Sequence, residues 1–108
     1  MFRNEVMIIV FTTVPTPEAA ELMAESLVRA RLAACVQILP QMTSVYAWEG
    51  AVQREPEHLL LIKTLEEKYD ALEMAIRAEH SYEVPEIVAI PASNVSADYL
   101  SWMGQCLS

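Results

Sequence analysis

Glycine, cysteine and positive charge are all scarce in this chain, and each shortage removes a class of function. With only two glycines in 108 residues, there is no Gly-rich loop to cradle a phosphate. The two cysteines, Cys35 and Cys106, have no framework spacing and form no CxxC, so a reducing compartment is the default. Seven Lys and Arg stand against fifteen Asp and Glu, for a formal charge of −8 and a pI near 4.6. Binding nucleic acid takes a clustered basic face, and the basic residues here are scattered from Arg3 to Arg77, so no nucleic-acid partner is expected. An anionic membrane surface is excluded on the same ground. No apolar run approaches the roughly 18 residues of a spanning helix. The stretch Val6 to Val14 follows Arg3 as a signal-peptide core would. Glu5 lies at its edge, however, and no small-x-small cleavage pattern precedes the helix signals at Thr16 and Pro17. A cytoplasmic protein is expected, without internal repeat, linker or low-complexity segment.

Hydrophobic residues, by contrast, are plentiful. They make up 54% of the chain, above the ~45–50% usual in soluble proteins. The length of 108 residues suits one domain and one core, so part of this apolar surface calls for a partner.

Val6-Met7-Ile8-Ile9-Val10-Phe11 is a continuous, β-branched run, the pattern of a central strand buried on both faces. Thr16 then offers an N-cap, Pro17 fits the first helical position, and Arg29 and Arg31 fall near the end. Ala20, Met23, Leu27 and Ala30 share one stripe of that amphipathic helix. From Ala34 the pattern turns to β through Val36 and Ile38, is interrupted at Pro40, and resumes from Ser44 to Trp48. Glu49-Gly50 supplies a tight turn, with glycine where positive φ is wanted, and a second arm runs from Ala51 to Thr64. Pro40 and Pro56 each remove a ladder donor, which predicts a bulge or an edge at both places. Leu65, Tyr69, Leu72 and Ile76 mark a second helix from about Glu66 to Glu79. Ile87 to Ile90 reads as a short buried strand closed by Pro91. Ser96 caps a last helix carrying Tyr99, Leu100 and Met103.

The order β-α-β-β-α-β plus a C-terminal helix is the ferredoxin-like α+β arrangement: an antiparallel sheet of four strands with both main helices on one face. Each hairpin arm of about 14 residues spans on the order of 45 Å, more than the roughly 35 Å diameter of a domain this size. The outer half, with Val45, Tyr46, Trp48 and Val52, therefore overshoots its own body and predicts oligomerisation. A shorter hairpin with an irregular loop around Pro56 is the alternative.

Five motifs also carry a resemblance: Arg31-Leu32-Ala33-Ala34-Cys35-Val36, Ser44-Val45-Tyr46-Ala47-Trp48-Glu49-Gly50, Leu60-Leu61-Ile62-Lys63-Thr64, His80-Ser81-Tyr82-Glu83-Val84-Pro85-Glu86-Ile87 and Tyr99-Leu100-Ser101-Trp102. In this order, and nearly end to end, the chain resembles the CutA divalent-cation tolerance family. The resemblance implies a homotrimer of ferredoxin-like subunits whose long hairpins pair across subunit boundaries. It also implies an association with tolerance to divalent cations, copper above all, and an architecture similar to the PII signalling proteins, with no established catalytic reaction. Ser81 stands where the family commonly has Pro. Thr12 and Glu79 stand where some members have Cys and a second His.

Copper(I) favours thiolate and thioether, while copper(II) favours imidazole with oxygen. The metal ligands expected on this basis are Cys35 and His80 with nearby Glu79 or Glu83. Opposed to that are a small buried hydrophobe at Cys35 and a helix-capping role at His80. The methionines read as packing. Lys63 follows four apolar residues, where a partly buried ammonium needs an anionic partner or ligand. With Arg31, Trp48, Tyr82 and Glu86 it forms a candidate ligand cleft between subunits, although Trp48 equally suits an interface anchor. Arg31, Cys35 and His80 have no nucleophilic-triad spacing, and Thr12-Thr13-Val14-Pro15 replaces the CxxC of heavy-metal transporter modules, so no enzyme is expected. Three readings stay open: a trimeric protein that binds or responds to divalent metal ions, a PII-like sensor of an anionic metabolite or nucleotide, and a trimeric interaction scaffold.

Overall fold

The computed structural model describes residues 5–108; Arg3, invoked above, lies outside the described residues. The elements are β1 (Met7–Val14), α1 (Pro17–Arg29), β2 (Cys35–Ile38), β3 (Met42–Trp48), β4 (Ala51–Leu65), α2 (Tyr69–Glu79), β5 (Val88–Pro91) and α3 (Ala97–Leu107). A 3-10 turn, Glu66–Lys68, leads into α2. This is the expected α+β order. The sheet runs β2-β4-β1-β5, with β3 pairing onto the outer length of β4, and every pairing is antiparallel.

The register assigns each side chain to a face, because directly opposed residues point the same way. Ile8, Val10, Val14, Leu60 and Ile62 form one core with Ala20, Met23 and Leu27 of α1 and Leu72 and Ile76 of α2. Residues of opposite parity lie on the other face. Phe11 stands between Leu61 and Val88, and Ile9 between Lys63 and Ile90. One end of this second face is covered by α3, through Met7, Leu65, Met103 and Leu107. The rest is open: Phe11, Leu59 and Leu61 are only half-buried, and Val88 and Ile90 are 51% and 45% exposed.

The hairpin overshoots as its length requires. Its fifteen-residue strand β4 matches a long molecular axis of 53 Å, against 25 and 24 Å for the others. Trp48 pairs with Ala51, so Glu49 and Gly50 form a two-residue turn with φ of 50° and 81°. Positive φ at both positions is the type I′ geometry that matches strand twist. Outside the body, Val45 is 55% and Val52 75% exposed. The irregular loop around Pro56 is not found: β4 runs straight through, with Pro56 opposite Thr43. Pairing with β1 and β2 begins only at His58 and Leu60, so Pro56 has a single neighbouring strand and its missing donor is tolerated.

Three expectations are corrected. Pro40 divides the first arm into two strands, β2 and β3, so the sheet has five strands rather than four. The strand expected over Ile87–Ile90 as buried is β5, an edge strand exposed along its whole length; apolar content alone does not distinguish a core from a surface awaiting a partner. Ser96 occupies the N-cap of α3 without a side-chain capping bond.

Thr16 does cap α1, its Oγ1 accepting from the Ala19 amide at 3.1 Å. The far end closes with Arg31 N–H donating to the Val28 carbonyl and Leu32 N–H to that of Leu27, a Schellman motif. Its left-handed position holds Arg31, φ 59°, where glycine is usual. Because a Cβ at Gly50 meets no atom within 4 Å, only backbone strain penalises a side chain there. Gly50→Ala is expected to cost about 1 kcal/mol, read as a lower urea midpoint at unchanged slope and fixed protein concentration.

Candidate functional site

Along the ribbon, from its base at Glu57 to its tip at Trp48, strand alternation turns Tyr46 and Trp48 of β3 and Glu55 and Glu57 of β4 to the same side. The segment between α2 and β5 forms the opposite wall with Tyr82 and Glu86. Between them lies a groove of about 760 Å³. None of its lining residues is basic.

Glu57 is 7% exposed. Its Oε2 accepts the Tyr82 hydroxyl at 2.7 Å, and no other hydrogen bond to this carboxylate is found among the described residues. Burial raises the Tyr82 phenol well above its ordinary value of 10.0. The hydrogen bond to Glu57 comes next, followed by the negative charge of Glu57 and the neighbouring Tyr46 and Glu55. The phenol thus stays a donor, in surroundings that disfavour further negative charge.

His80 fixes the segment that presents Tyr82. Its Nε2 lies 2.7 Å from the Thr13 carbonyl, so it carries the proton and donates. Nδ1 accepts the Tyr82 amide at 3.2 Å. The His80 and Tyr82 rings pack with centroids 4.7 Å apart. A histidine whose one nitrogen donates to a backbone carbonyl is oriented as metal-binding imidazoles often are, and Nδ1 is its one atom able to coordinate.

The four expected metal ligands do not converge. Cys35 is half-buried opposite Lys63, whereas His80 is anchored at Thr13, opposite Leu59. Four ladder steps separate those positions, about 13 Å. The Glu79 Oε2 accepts the Ser26 hydroxyl at 2.8 Å, and Glu83 is exposed. Among the described residues no three His, Cys, Asp or Glu side chains are placed to hold a metal ion.

The expected cleft set is divided. Trp48, Tyr82 and Glu86 line the groove, while Arg31 and Lys63 do not. Arg31 Nη1 donates to the Ser108 carbonyl at 2.6 Å, which ties the end of α1 to that of α3. Lys63 Nζ sits 5.8 Å from the Tyr99 ring centroid, a cation–π contact in place of the expected carboxylate. Sequence reasoning missed Glu55 and Glu57 as groove residues. Their two-residue spacing, which shares a strand face with Tyr46 and Trp48, was the available signal; the hydrogen bond of Glu57 to Tyr82 joins residues distant in sequence.

Residues 8–106 match the family model described as CutA1 divalent ion tolerance protein. The divalent-cation tolerance protein CutA of Thermus thermophilus is 45% identical over 95 residues, 88% of this chain and 92% of that protein. The chloroplastic protein CutA 1 of Oryza sativa is 47% identical over 96 residues, 89% of this chain and 54% of its own length. The chain thus spans about half the length of the plant relatives it matches. The crystal structure of CutA1 from Oryza sativa superposes with a TM-score of 0.93 at 44% identity, covering 95% of this chain and 94% of that one. The periplasmic divalent cation tolerance protein CutA of Archaeoglobus fulgidus gives 0.92 at 32% identity, covering 94% and 99%.

The Tyr82–Glu57 contact has a pH signature. A folded-state value raised above the unfolded one means that the stabilisation is complete below pH 10 and is lost as pH rises through the folded value. Tyr69 is raised as well, by burial and by its bond to Glu73, so ultraviolet titration should show late-ionising tyrosines, one fewer of them in Tyr82→Phe. An unchanged titration in that variant would contradict the assignment.

Proposed function

The chain belongs to the CutA1 divalent ion tolerance family, and from that premise we propose that it works as a homotrimeric, non-enzymatic cytoplasmic protein that binds divalent metal ions, copper foremost, with its metal site completed between subunits. The observation that carries this reading is the combination of unconverged donors with two uncovered apolar surfaces. Within one chain Cys35 and His80 lie ladder steps apart. Cys35 shares the parity of the open sheet face, where Phe11, Leu61, Val88 and Ile90 await cover. A second copy seated on that face and along the ribbon removes this apolar area from water at roughly 25 cal/mol per Å². It also brings another chain's donors towards the first. Three copies is the number the family resemblance implies.

Copper(II) suits the oxygen-rich side of the donor set: His80 Nδ1, released from its 3.2 Å bond to the Tyr82 amide, with the carboxylates of Glu79 or Glu83. Cys35 from a neighbouring chain is the remaining candidate. The sensor of an anionic metabolite draws less support, since Arg31 and Lys63 are engaged elsewhere and the groove holds no cation. The interaction scaffold is the reading left if no metal binds.

Light scattering at low concentration should give about three chain masses, and Ile90→Asp, which places a charge on the open face, should shift the particle towards one. Calorimetric titration with copper(II) should show binding that weakens at least tenfold in His80→Ala or Cys35→Ala. A monomer mass for the unaltered chain overturns the assembly. Silence towards copper(II) and zinc overturns the metal assignment alone.

A further inference from the structure

The two halves of the long hairpin do not share one register. Ile38 lies opposite Leu60, whereas Met42 lies opposite Glu57. Between those pairs the first arm has three residues, Leu39, Pro40 and Gln41, and the second only two, His58 and Leu59. The Leu39 amide still donates to the Leu59 carbonyl at 2.9 Å. Pro40 and Gln41 are thus left against His58 alone, the two-against-one pattern of a β-bulge. The extra residue decides what the ribbon displays, because a shift of one position turns every side chain to the other face. Had the register of the body run on, Glu55 would lie opposite Thr43, and Tyr46 and Trp48 would point away from Glu55 and Glu57. With the bulge, Glu55 lies opposite Ser44 and Tyr46 opposite Gln53, so the two aromatics and the two acids share one face.

His58 reaches the bulge from the second arm. Its Nδ1 is 3.1 Å from the Leu39 carbonyl. A carbonyl only accepts, so Nδ1 carries the proton and donates. Nε2 is buried without a protein partner, on a residue only 7% exposed. For packing alone this is a poor choice, since an apolar side chain opposite Val14 would fill the position without burying an unpaired nitrogen. What an apolar side chain lacks is the donor. Pro40 has no N–H with which to continue the ladder, so the Leu39 carbonyl stands at the last point of regular pairing, and the imidazole takes it.

We infer that His58 is a positioning residue for the groove: by donating from Nδ1 to Leu39 it pins the bulge at Pro40 and Gln41, and so holds Tyr46 and Trp48 on the face of Glu55 and Glu57. The turn at Glu49 and Gly50 sets the register of the ribbon and the core sets that of the body. The mismatch has to be absorbed somewhere along the first arm, and His58 fixes the place. This role uses neither Cys35 nor His80 and stands whether or not a metal binds.

The test compares His58→Leu with His58→Asn in the full chain in its solution assembly. The two replacements have the same branched shape, and the asparagine amide nitrogen takes the place of Nδ1 as a donor, which leucine lacks. Hydrogen exchange is followed by NMR at the β3 amides that pair with β4 and at Val10, Leu60 and Ile62 in the core. His58→Leu should speed exchange in β3 about tenfold while the core stays within about twofold, and His58→Asn should restore β3. The cross-strand contact of Met42 with Glu57 should persist in His58→Asn and give way to one between Gln41 and Glu57 in His58→Leu, as the bulge moves outward. In the unaltered chain, nitrogen-15 spectra of the imidazole should show Nδ1 protonated. The inference is overturned if the ring carries its proton on Nε2 instead, or if His58→Leu keeps both the β3 protection and the Met42 contact. It is equally overturned if His58→Asn behaves as His58→Leu does, or if β3 and core exchange speed up together, as a loss of packing alone would make them.

Discussion

The structure depends on one strand. Among the described residues β4 is the only partner of β2 and β3 and the main partner of β1, so three of the four other strands are placed by hydrogen bonds to it. Its fifteen residues divide into a half inside the body, where Leu60 and Ile62 are fully buried, and a half outside it. The buried half anchors the core beneath α1 and α2. The outer half, paired with β3, lengthens the molecule to 53 Å along its long axis, against 25 and 24 Å along the others. Extension on that scale leaves apolar ribbon surface in water, and the open sheet face adds to it. The excess of hydrophobic residues over what one core can bury has a definite location.

Much of this was legible in the sequence. The β-branched run ending at Phe11 gave the central strand, Thr16 and Pro17 opened α1, and Gly50 marked the turn. These signals are local, set by period, capping chemistry and tolerated φ. Less legible was whatever depends on distant partners. The exposure of Val88 and Ile90 was hidden because an apolar tetrapeptide looks the same in a core and at an interface. Glu57 is buried and takes the Tyr82 hydroxyl as its donor, and a charged residue on a ribbon reads as solvated until its neighbour is known. Arg31 carries no sign of its left-handed backbone, because glycine is the residue that usually announces it. The expected metal donors were chosen by residue type, which says nothing of convergence; the ladder register separates Cys35 from the Thr13 position to which His80 bonds.

Charge and shape are linked along the ribbon. The chain's acid excess includes Glu55, Glu57 and Glu86, which line one groove with Tyr46, Trp48 and Tyr82. His80 holds the opposite wall by bonding at both ring nitrogens, to Thr13 on β1 and to the Tyr82 amide. The histidine therefore couples the geometry of the groove to that of the central strand. Any group that draws on Nδ1 competes with the Tyr82 amide and so loosens the segment carrying Tyr82.

The two prolines on weakly paired strands limit how such a molecule can grow. Pro56 lies where β4 has one neighbour and Pro91 ends the edge strand β5. A chain that displays apolar β-surface at its edges risks open-ended stacking into fibres. An imino nitrogen cannot donate to an incoming strand, so these positions interrupt the continuous ladder that runaway polymerisation requires. Strand addition at these positions is thereby disfavoured.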